Sequence, residues 1–353
     1  MGCSGTGSAG STQWSPQGLV ATMTSTSHAD RGGCALTRPE SPRRTPQGKR
    51  VKVMTKVLIA VDGSERSEDA VAFGRVLALA AGAPVILATA DRSDPLRPGA
   101  HAHDVFLREE ANAKLVRLAA ALDDVDVVEL RPLVANTSAA QALQDLAERE
   151  GAGIIVVGSS HTGRLGRVLP GSTAERLLHG APCPVAVVPL GYRTHATLAH
   201  PIVGCAYRST EDGAAALGAA EELALALSGS LRVMQIIEPL ARIYDSGEMP
   251  LNFPEINASI YADTERGLME RAARLSSKLE SEATLHSGKP ADVLIGLSET
   301  VDILVMGSRG YGAFKAVFLG GVSGQVIRSA ACPVIVVPHQ AATAVGSVFA
   351  AAA

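Results

Sequence analysis

Residues 154–158 have the sequence Ile154-Ile155-Val156-Val157-Gly158, and residues 303–307 have the sequence Ile303-Leu304-Val305-Met306-Gly307. Each run is apolar on both faces, which is typical of a buried strand in a parallel sheet. The similarity continues beyond these runs, because the segment 158–189 recurs as the segment 307–338. The matched positions include Gly158 with Gly307, Gly171 with Gly320, Cys183 with Cys332 and Pro189 with Pro338. A repeat of roughly 140–150 residues is too long for a solenoid and indicates two copies of one domain.

The repeat divides the chain into four parts. Residues 54–190 and 200–338 are the two predicted domains, called here the first and the second copy. Residues 1–53 are rich in Gly, Ser, Thr and Pro, and they carry seven Lys or Arg against two acidic residues. Such a composition buries too little apolar area to offset chain entropy, so we expect a disordered N-terminal extension. Residues 339–353 are expected to form a flexible C-terminal tail.

Short apolar runs alternate with helical patterns in both copies. The predicted strands are 56–61, 85–90, 127–134, 154–158 and 184–189 in the first copy, and 202–207, 231–237, 283–287, 303–307 and 333–338 in the second. Helices are predicted near 67–81, 104–121, 138–150 and 173–179. This alternation predicts an α/β fold with two tandem, doubly wound, parallel five-stranded sheets. The apolar fifth strands should lie at sheet edges, so we expect these edges to pair with each other or across a two-fold axis.

The composition argues against several classes of function. The chain has 32 Lys and Arg against 35 Asp and Glu, a net charge of −3. This balance argues against nucleic acid as a partner, because phosphate-backbone binding needs a cationic excess. No apolar segment is continuous enough to span a membrane, and the five cysteines lack the paired spacing of a disulfide scaffold or a zinc site. We expect a reduced, cytoplasmic protein without a membrane contact.

Glycine clusters follow the fourth strand of each copy. Gly307, Gly310 and Gly320 have the spacing G-x2-G-x9-G, and the first copy has Gly158 and Gly171. Glycines let backbone N–H groups approach phosphate oxygens, and a helix that begins at the second cluster adds its N-terminal amides. A Cβ at Gly171 would occupy space needed by phosphate and would oppose a positive φ. The clusters predict a phosphate site in each copy; the alternative is a strand-to-helix turn that needs glycine for its own geometry.

Three runs resemble the universal stress protein family: Val57-Leu58-Ile59-Ala60-Val61-Asp62-Gly63-Ser64, Val305-Met306-Gly307-Ser308-Arg309-Gly310 and Ala331-Cys332-Pro333-Val334-Ile335-Val336-Val337-Pro338. The resemblance covers nearly all of 54–338 and implies a Rossmann-like, adenine nucleotide alpha hydrolase-like fold. It implies that ATP binds, with Mg²⁺ as the accompanying ion, and that Asp62 contacts adenine beside the backbone of Ala60 and Ala90. The implied ribose- and phosphate-binding residues are Gly158, Gly171, Ser172 and Thr173 in the first copy, and Gly307, Gly310, Gly320 and Gly321 in the second. Val322 and Ser323, at the start of the following helix, are further candidates in the second copy. In the first copy, Arg164 either balances nucleotide charge or is solvated, and the side chain of His161 either crowds the ribose or contacts phosphate.

The two copies depart from the family pattern at different positions. His161 stands at the second glycine of the first copy, Gly321 replaces the Ser or Thr of the second copy, and Arg208 stands where the acid after strand one is expected. An arginine only donates hydrogen bonds, so it leaves the adenine amine unpaired. We therefore expect the first copy to prefer ATP and the second to hold phosphates with little discrimination between adenine and guanine.

The expected function is that of a nucleotide-dependent regulator or sensor in a stress response, rather than a fast enzyme. We expect a homodimer and a protein partner that the sequence does not identify. A slow ATP hydrolase or phosphotransfer enzyme using the same pocket, and a nucleotide-free dimerisation module, are the alternatives. The sequence has neither a G-x4-G-K-(S/T) loop nor a G-x-S-x-G elbow. Cys183 and Cys332 begin the fifth strands and are expected to serve packing.

Overall fold

The computed structural model describes residues 55–96, 98–159, 168, 170–195, 199–239, 253–308 and 321–338. The predicted extension and tail lie outside these residues. The strands are β1 (Lys56–Ala60), β2 (Val85–Arg92), β3 (Val128–Ala135), β4 (Ala152–Gly158), β5 (Val185–Val188), β6 (Ile202–Tyr207), β7 (Ser230–Ile237), β8 (Ser281–Ser287), β9 (Ile303–Gly307) and β10 (Val334–Val337). The helices are α1 (Glu65–Ala81), α2 (Ala100–Ala119), α3 (Ala139–Glu150), α4 (Ser172–Gly180), α5 (Glu211–Ala226), α6 (Phe253–Ala272), α7 (Pro290–Leu297) and α8 (Gly321–Ile327). Short 3₁₀ turns occupy Ala120–Leu122 and Tyr192–His195.

The strands of both copies form one sheet in the order β3-β2-β1-β4-β5-β10-β9-β6-β7-β8. Within each copy the neighbouring strands are parallel, so the predicted pair of doubly wound five-stranded arrangements is confirmed. The two copies join where β5 and β10 pair antiparallel, with Ala186 opposite Ile335. The apolar edges therefore pair with each other, which is one of the two arrangements expected from the sequence.

Local signals in the sequence set the helix ends. α1 and α3 end where Gly82 and Gly151 adopt left-handed φ values of 57° and 62°, a conformation that suits glycine. Ser138 caps α3, since its side chain accepts a hydrogen bond from the backbone N–H of Gln141. α2 begins four residues before the predicted start, because Gly99 has a φ of 77° and turns the chain directly into the helix.

The core has two apolar layers, one on each face of the shared sheet. The helices α1, α2, α5 and α6 pack on one face, and α3, α4, α7 and α8 pack on the other. Each layer contains buried side chains from both copies, such as Ile59 with Cys205 on one face and Leu58 with Leu304 on the other. In the described part of the chain, no helix is both long and apolar enough to cross a bilayer.

A buried carboxylate ties the connection between the copies to the first copy. Asp69 in α1 has 0% relative exposure. Its Oδ2 accepts the backbone N–H of Gly191 at 2.9 Å, and its Oδ1 accepts that of Arg193 at 3.0 Å. The ring of Tyr192 meets that of Phe73 edge-on, with the centroids 5.4 Å apart. Residues 191–193, at the start of the connection, are thus held at a fixed position against α1.

Candidate functional site

The carboxyl ends of β1, β2 and β4 meet at a cavity of about 370 Å³, called here the first cavity. The winding of the first copy reverses between β1 and β4, which is where doubly wound sheets bind ligands. The lining residues are Ala60, Val61, Asp62, Arg66, Ser67, Thr89, Ala90, Asp91, Lys114, Ala139, Leu143, Val157, Gly158, Ser159, Gly171, Ser172, Thr173 and Ala174. Small side chains leave this space open at the ends of all three strands.

The turn after β1 holds the carboxylate of Asp62 in a fixed orientation. Its Oδ1 accepts hydrogen bonds from the backbone N–H of Ser64 at 2.9 Å, from the Ser64 hydroxyl at 2.6 Å and from the Ser67 hydroxyl at 2.9 Å. Ser67 also accepts the backbone N–H groups of Asp62 and Gly63, both at 3.0 Å. Because Ser67 is buried, this network fixes an otherwise exposed acid at the mouth of the cavity.

Helix α2 holds the same turn from outside. Gly63 has a φ of 84°, and a Cβ added there would lie 2.8 Å from Cδ of Lys114. The guanidinium of Arg117 donates to the carbonyl oxygen of Gly63 at 2.8 Å. Glycine is thus required at position 63 both by the backbone conformation and by the close approach of a side-chain stem.

The opposite side of the cavity is the start of α4. Ser172 and Thr173 are its first residues, so backbone N–H groups of the first turn and two hydroxyls lie at the cavity. Gly171 precedes them with a φ of −78° and a ψ of 173°. The positive φ that we considered for Gly171 is therefore not observed, and a larger residue there would act only through the volume of its side chain.

Gly158 has a packing role besides its place at the cavity. A Cβ added at Gly158 would lie 2.6 Å from the carbonyl oxygen of Arg66. At the corresponding Gly307, a Cβ would lie 2.8 Å from the carbonyl oxygen of Asp212. In both copies, the glycine that ends the fourth strand lets the first turn of α1 or α5 approach the strand closely.

The second copy has a smaller cavity of about 230 Å³ at the ends of β6, β7 and β9, called here the second cavity. Its lining residues are Ala206, Tyr207, Arg208, Thr210, Asp212, Gly213, Ile236, Pro290, Leu294, Met306, Gly307, Ser308, Val322 and Ser323. β6 and β9 pair in the same register as β1 and β4. When the two strand pairs are superposed, Arg208 takes the position of Asp62. The two cavities are therefore equivalent in the fold but differ in their walls.

The structure separates the site residues expected from the sequence into four groups. Those at the first cavity are Ala60, Asp62, Ala90, Gly158, Gly171, Ser172 and Thr173, and those at the second are Gly307, Val322 and Ser323. Gly321 is the first residue of α8. His161, Arg164, Gly310 and Gly320 lie outside the described residues.

Several cavity residues were not anticipated from the sequence. Ser67 and Thr89 are buried at the first cavity, and Lys114 reaches it from α2. Ser67 had a local signal, since it follows Asp62 by five residues at the start of a helix. Lys114 had none, because it is about fifty residues away from the turn that it covers.

The ionisable groups of the described residues place limits on the chemistry. They include no group of three or more His, Cys, Asp or Glu side chains placed to hold a metal ion. Burial raises the pKa of the Cys183 thiol, and likewise that of Cys332, to about 12. These thiols remain protonated at neutral pH, which agrees with the packing role expected for them.

Comparison with known proteins identifies the family. The model of the universal stress protein family matches residues 54–189 and again residues 201–338. The chain is 30% identical over 214 residues to the universal stress protein Rv2319c of Mycobacterium tuberculosis, which covers 58% of this chain and 70% of that relative. It is 28% identical over 299 residues to the universal stress protein Rv2005c of the same organism, covering 79% of this chain and 96% of that relative.

A solved structure supports the fold. The crystal structure of a universal stress protein from Archaeoglobus fulgidus aligns with a TM-score of 0.56 at 19% identity, covering 81% of this chain and 96% of that one. The family model spans both copies and most of the chain, in agreement with the resemblance seen in the sequence. The chain therefore belongs to the universal stress protein family, in a tandem form with two family domains.

Proposed function

We propose that this protein binds ATP in the first cavity and acts as a nucleotide-dependent regulator or sensor in a stress response. The observation that carries the proposal is the pairing, across one cavity, of an oriented carboxylate at Asp62 with the N-terminus of α4. One end suits a hydrogen-bond donor such as the adenine exocyclic amine. The other end suits an anion, because helix N-termini favour negative charge.

A buried hydroxyl at the first cavity supports a polar ligand. Thr89 is 3% exposed, and its Oγ1 has no hydrogen-bond partner in the described part of the chain. A buried polar group without a partner costs about 1–3 kcal/mol, so such groups call for a ligand or a water molecule. Thr89 precedes Ala90, whose backbone is the proposed second contact of the base. Both residues lie where the base would enter the cavity.

The phosphate contacts are proposed at the start of α4. Ser172 and Thr173 add two hydroxyls to the backbone N–H groups, and Gly158 and Gly171 leave room for the phosphate chain. His161 and Arg164 are proposed on the sequence pattern alone. The Mg²⁺ that accompanies ATP would be bound mainly by the phosphates, since the described residues supply no cluster of metal ligands.

The location of the protein, its assembly and its partner are also proposed from the sequence. We propose a cytoplasmic homodimer that passes the nucleotide state to a protein partner. Because β5 and β10 already pair within one chain, the dimer would use a surface other than these two strands. Light scattering on the full chain measures the mass directly.

Titration calorimetry with a glycine variant tests the site. Gly171→Val should abolish ATP binding by the first copy, because its methyl groups enter the space proposed for phosphate. Gly218→Val is the matched control, since a Cβ at Gly218 in α5 meets no atom within 4 Å. Nucleotide released by denaturing the freshly purified protein, and phosphate release over time, would show what is bound and whether it turns over. Unchanged ATP affinity in Gly171→Val, with a normal circular dichroism spectrum, would remove this loop from the site.

A further inference from the structure

We infer that each chain holds a single nucleotide, in the first cavity, because the second cavity is smaller and lacks the counterparts of Asp62, Ser67, Ser172 and Thr173. The inference rests on the proposed function and adds the number of sites and the residues that decide it. It differs from the expectation drawn from the sequence, in which the second copy still held phosphates.

Larger side chains occupy the strand ends of the second cavity. β7 and β6 pair in the same register as β2 and β1. Ile236 of the second copy therefore takes the position that Ala90 has in the first. The pairing of β4 and of β9 likewise places Met306 at the position of Val157. Ala90, Val157, Ile236 and Met306 all lie on the same face of the sheet. The larger side chains of Ile236 and Met306 therefore narrow the second cavity on the face where Ala90 leaves the first cavity open.

The helix after the third strand narrows the cavity further. α3 begins with Ala139, and α7 begins with Pro290 at the equivalent place. Leu143 and Leu294, four residues later in each helix, line the respective cavities and confirm the alignment. The proline ring takes space that the alanine methyl does not. These larger side chains lie at the smaller cavity, of about 230 Å³ against about 370 Å³ in the first copy.

The turn that orients Asp62 in the first copy has a different sequence and backbone in the second copy. Arg208 replaces Asp62, and Gly213 takes the position of Ser67. A Cβ added at Gly213 would lie 1.9 Å from the carbonyl oxygen of Arg208. The backbone of the turn therefore occupies the space that the Ser67 side chain has in the first copy. An acid at position 208 alone would not restore the hydrogen-bond network around Asp62.

The polar groups at the start of α4 are replaced as well. Gly321 and Val322 stand where the first copy has Ser172 and Thr173, so these two hydroxyls are lost, and one hydroxyl, that of Ser323, stands in place of Ala174. α8 has seven residues and α4 has nine. Both ends of the proposed ATP site are therefore altered in the second cavity.

The stoichiometry of ATP binding tests the inference. Titration calorimetry of the full chain with ATP should give one site per chain. Ala90→Ile, which copies the wall of the second cavity into the first, should weaken this binding about 5- to 150-fold through overpacking. Its matched control, Ile236→Ala, should leave both the affinity and the number of sites unchanged, and so should Arg208→Ala. Circular dichroism checks that each variant is folded, and Ile236→Val serves as a milder control.

The outcomes separate the inference from the proposed function. Two sites per chain, or an affinity that responds to Ile236→Ala or Arg208→Ala, would overturn the inference and leave ATP binding established. An absence of ATP binding by the unmodified chain would refute the proposed function, and the inference with it. Full affinity in a folded Ala90→Ile variant would show that the strand ends do not decide which cavity is occupied.

Discussion

Ser67→Ala is the most informative single change, because this hydroxyl connects the fold of the turn to the orientation of Asp62. The variant removes two hydrogen bonds accepted from the backbone N–H groups of Asp62 and Gly63 and one donated to Asp62 Oδ1. The two N–H groups lie in a partly exposed turn, where water can replace the lost acceptor in part. We therefore expect the free energy of unfolding to fall by about 1–2 kcal/mol, in the lower part of the range for buried groups.

The effect on ATP affinity follows from the third hydrogen bond. Without the Ser67 hydroxyl, the carboxylate of Asp62 keeps the two hydrogen bonds from Ser64 but loses the one donated from α1. A hydrogen bond to a charged group is worth about 1.5–3 kcal/mol. Because the Ser64 hydrogen bonds keep part of the orientation, ATP affinity should fall about 5- to 10-fold. Because Ser67 acts through Asp62, the double variant with Asp62→Ala should bind no more weakly than Asp62→Ala alone.

Calorimetric titration measures the affinities, and urea unfolding measures the stabilities. The matched control is Thr210→Ala, which removes the N-cap of the equivalent helix α5, where the side chain accepts from Gly213 at 3.3 Å. It should cost about 1 kcal/mol of stability and leave ATP affinity unchanged. Wild-type affinity in Ser67→Ala would refute the positioning role of Ser67, and losses that add in the double variant would show that it acts independently of Asp62.

Two further predictions concern stability. Asp69→Leu should lower the free energy of unfolding by about 3 kcal/mol or more, since it removes two hydrogen bonds to a buried carboxylate, from the backbone N–H groups of Gly191 and Arg193, each worth about 1.5–3 kcal/mol. Asp69→Asn, which keeps one acceptor, should cost less, and equal costs in urea unfolding would contradict this role. The Lys56 ammonium lies 2.6 Å from Glu150, and its hydrogen bond lowers the pKa of that carboxyl below the usual value of 4.5. A lowered pKa stabilises the fold above the unfolded value, and this contribution is lost as the pH falls through the folded value. The stability difference between wild type and Lys56→Met should therefore shrink between about pH 5 and pH 3, and a difference independent of pH would refute the coupling.

The architecture was predictable because its signals are local or repeated. Apolar runs such as 154–158 marked the strands, and the recurrence of 158–189 marked the two copies. The junction was predictable in kind, since an apolar fifth strand needs a neighbour. Its antiparallel pairing within one chain became clear only from the structure.

The site was less predictable because its contacts join distant parts of the chain. Lys114 covers Gly63, and Thr89 lines the same cavity, without any spacing that marks them in the sequence. Gly158 was expected to be glycine for the sake of phosphate, whereas the structure adds the carbonyl oxygen of Arg66 as a packing reason. The offset between the copies changes along the chain, so only the sheet register revealed that Ile236 replaces Ala90.

The affinity ratio of ATP to GTP, measured in the wild-type chain and in Asp62→Ala, tests the central claim most directly. The carboxylate can accept a hydrogen bond from the exocyclic amine of adenine, and guanine presents a carbonyl oxygen at that place. Losing the contact should weaken ATP binding about 5- to 150-fold and bring the ratio close to one. A ratio that stays at its wild-type value in Asp62→Ala would contradict the assignment of Asp62, and of the first cavity, to the adenine base.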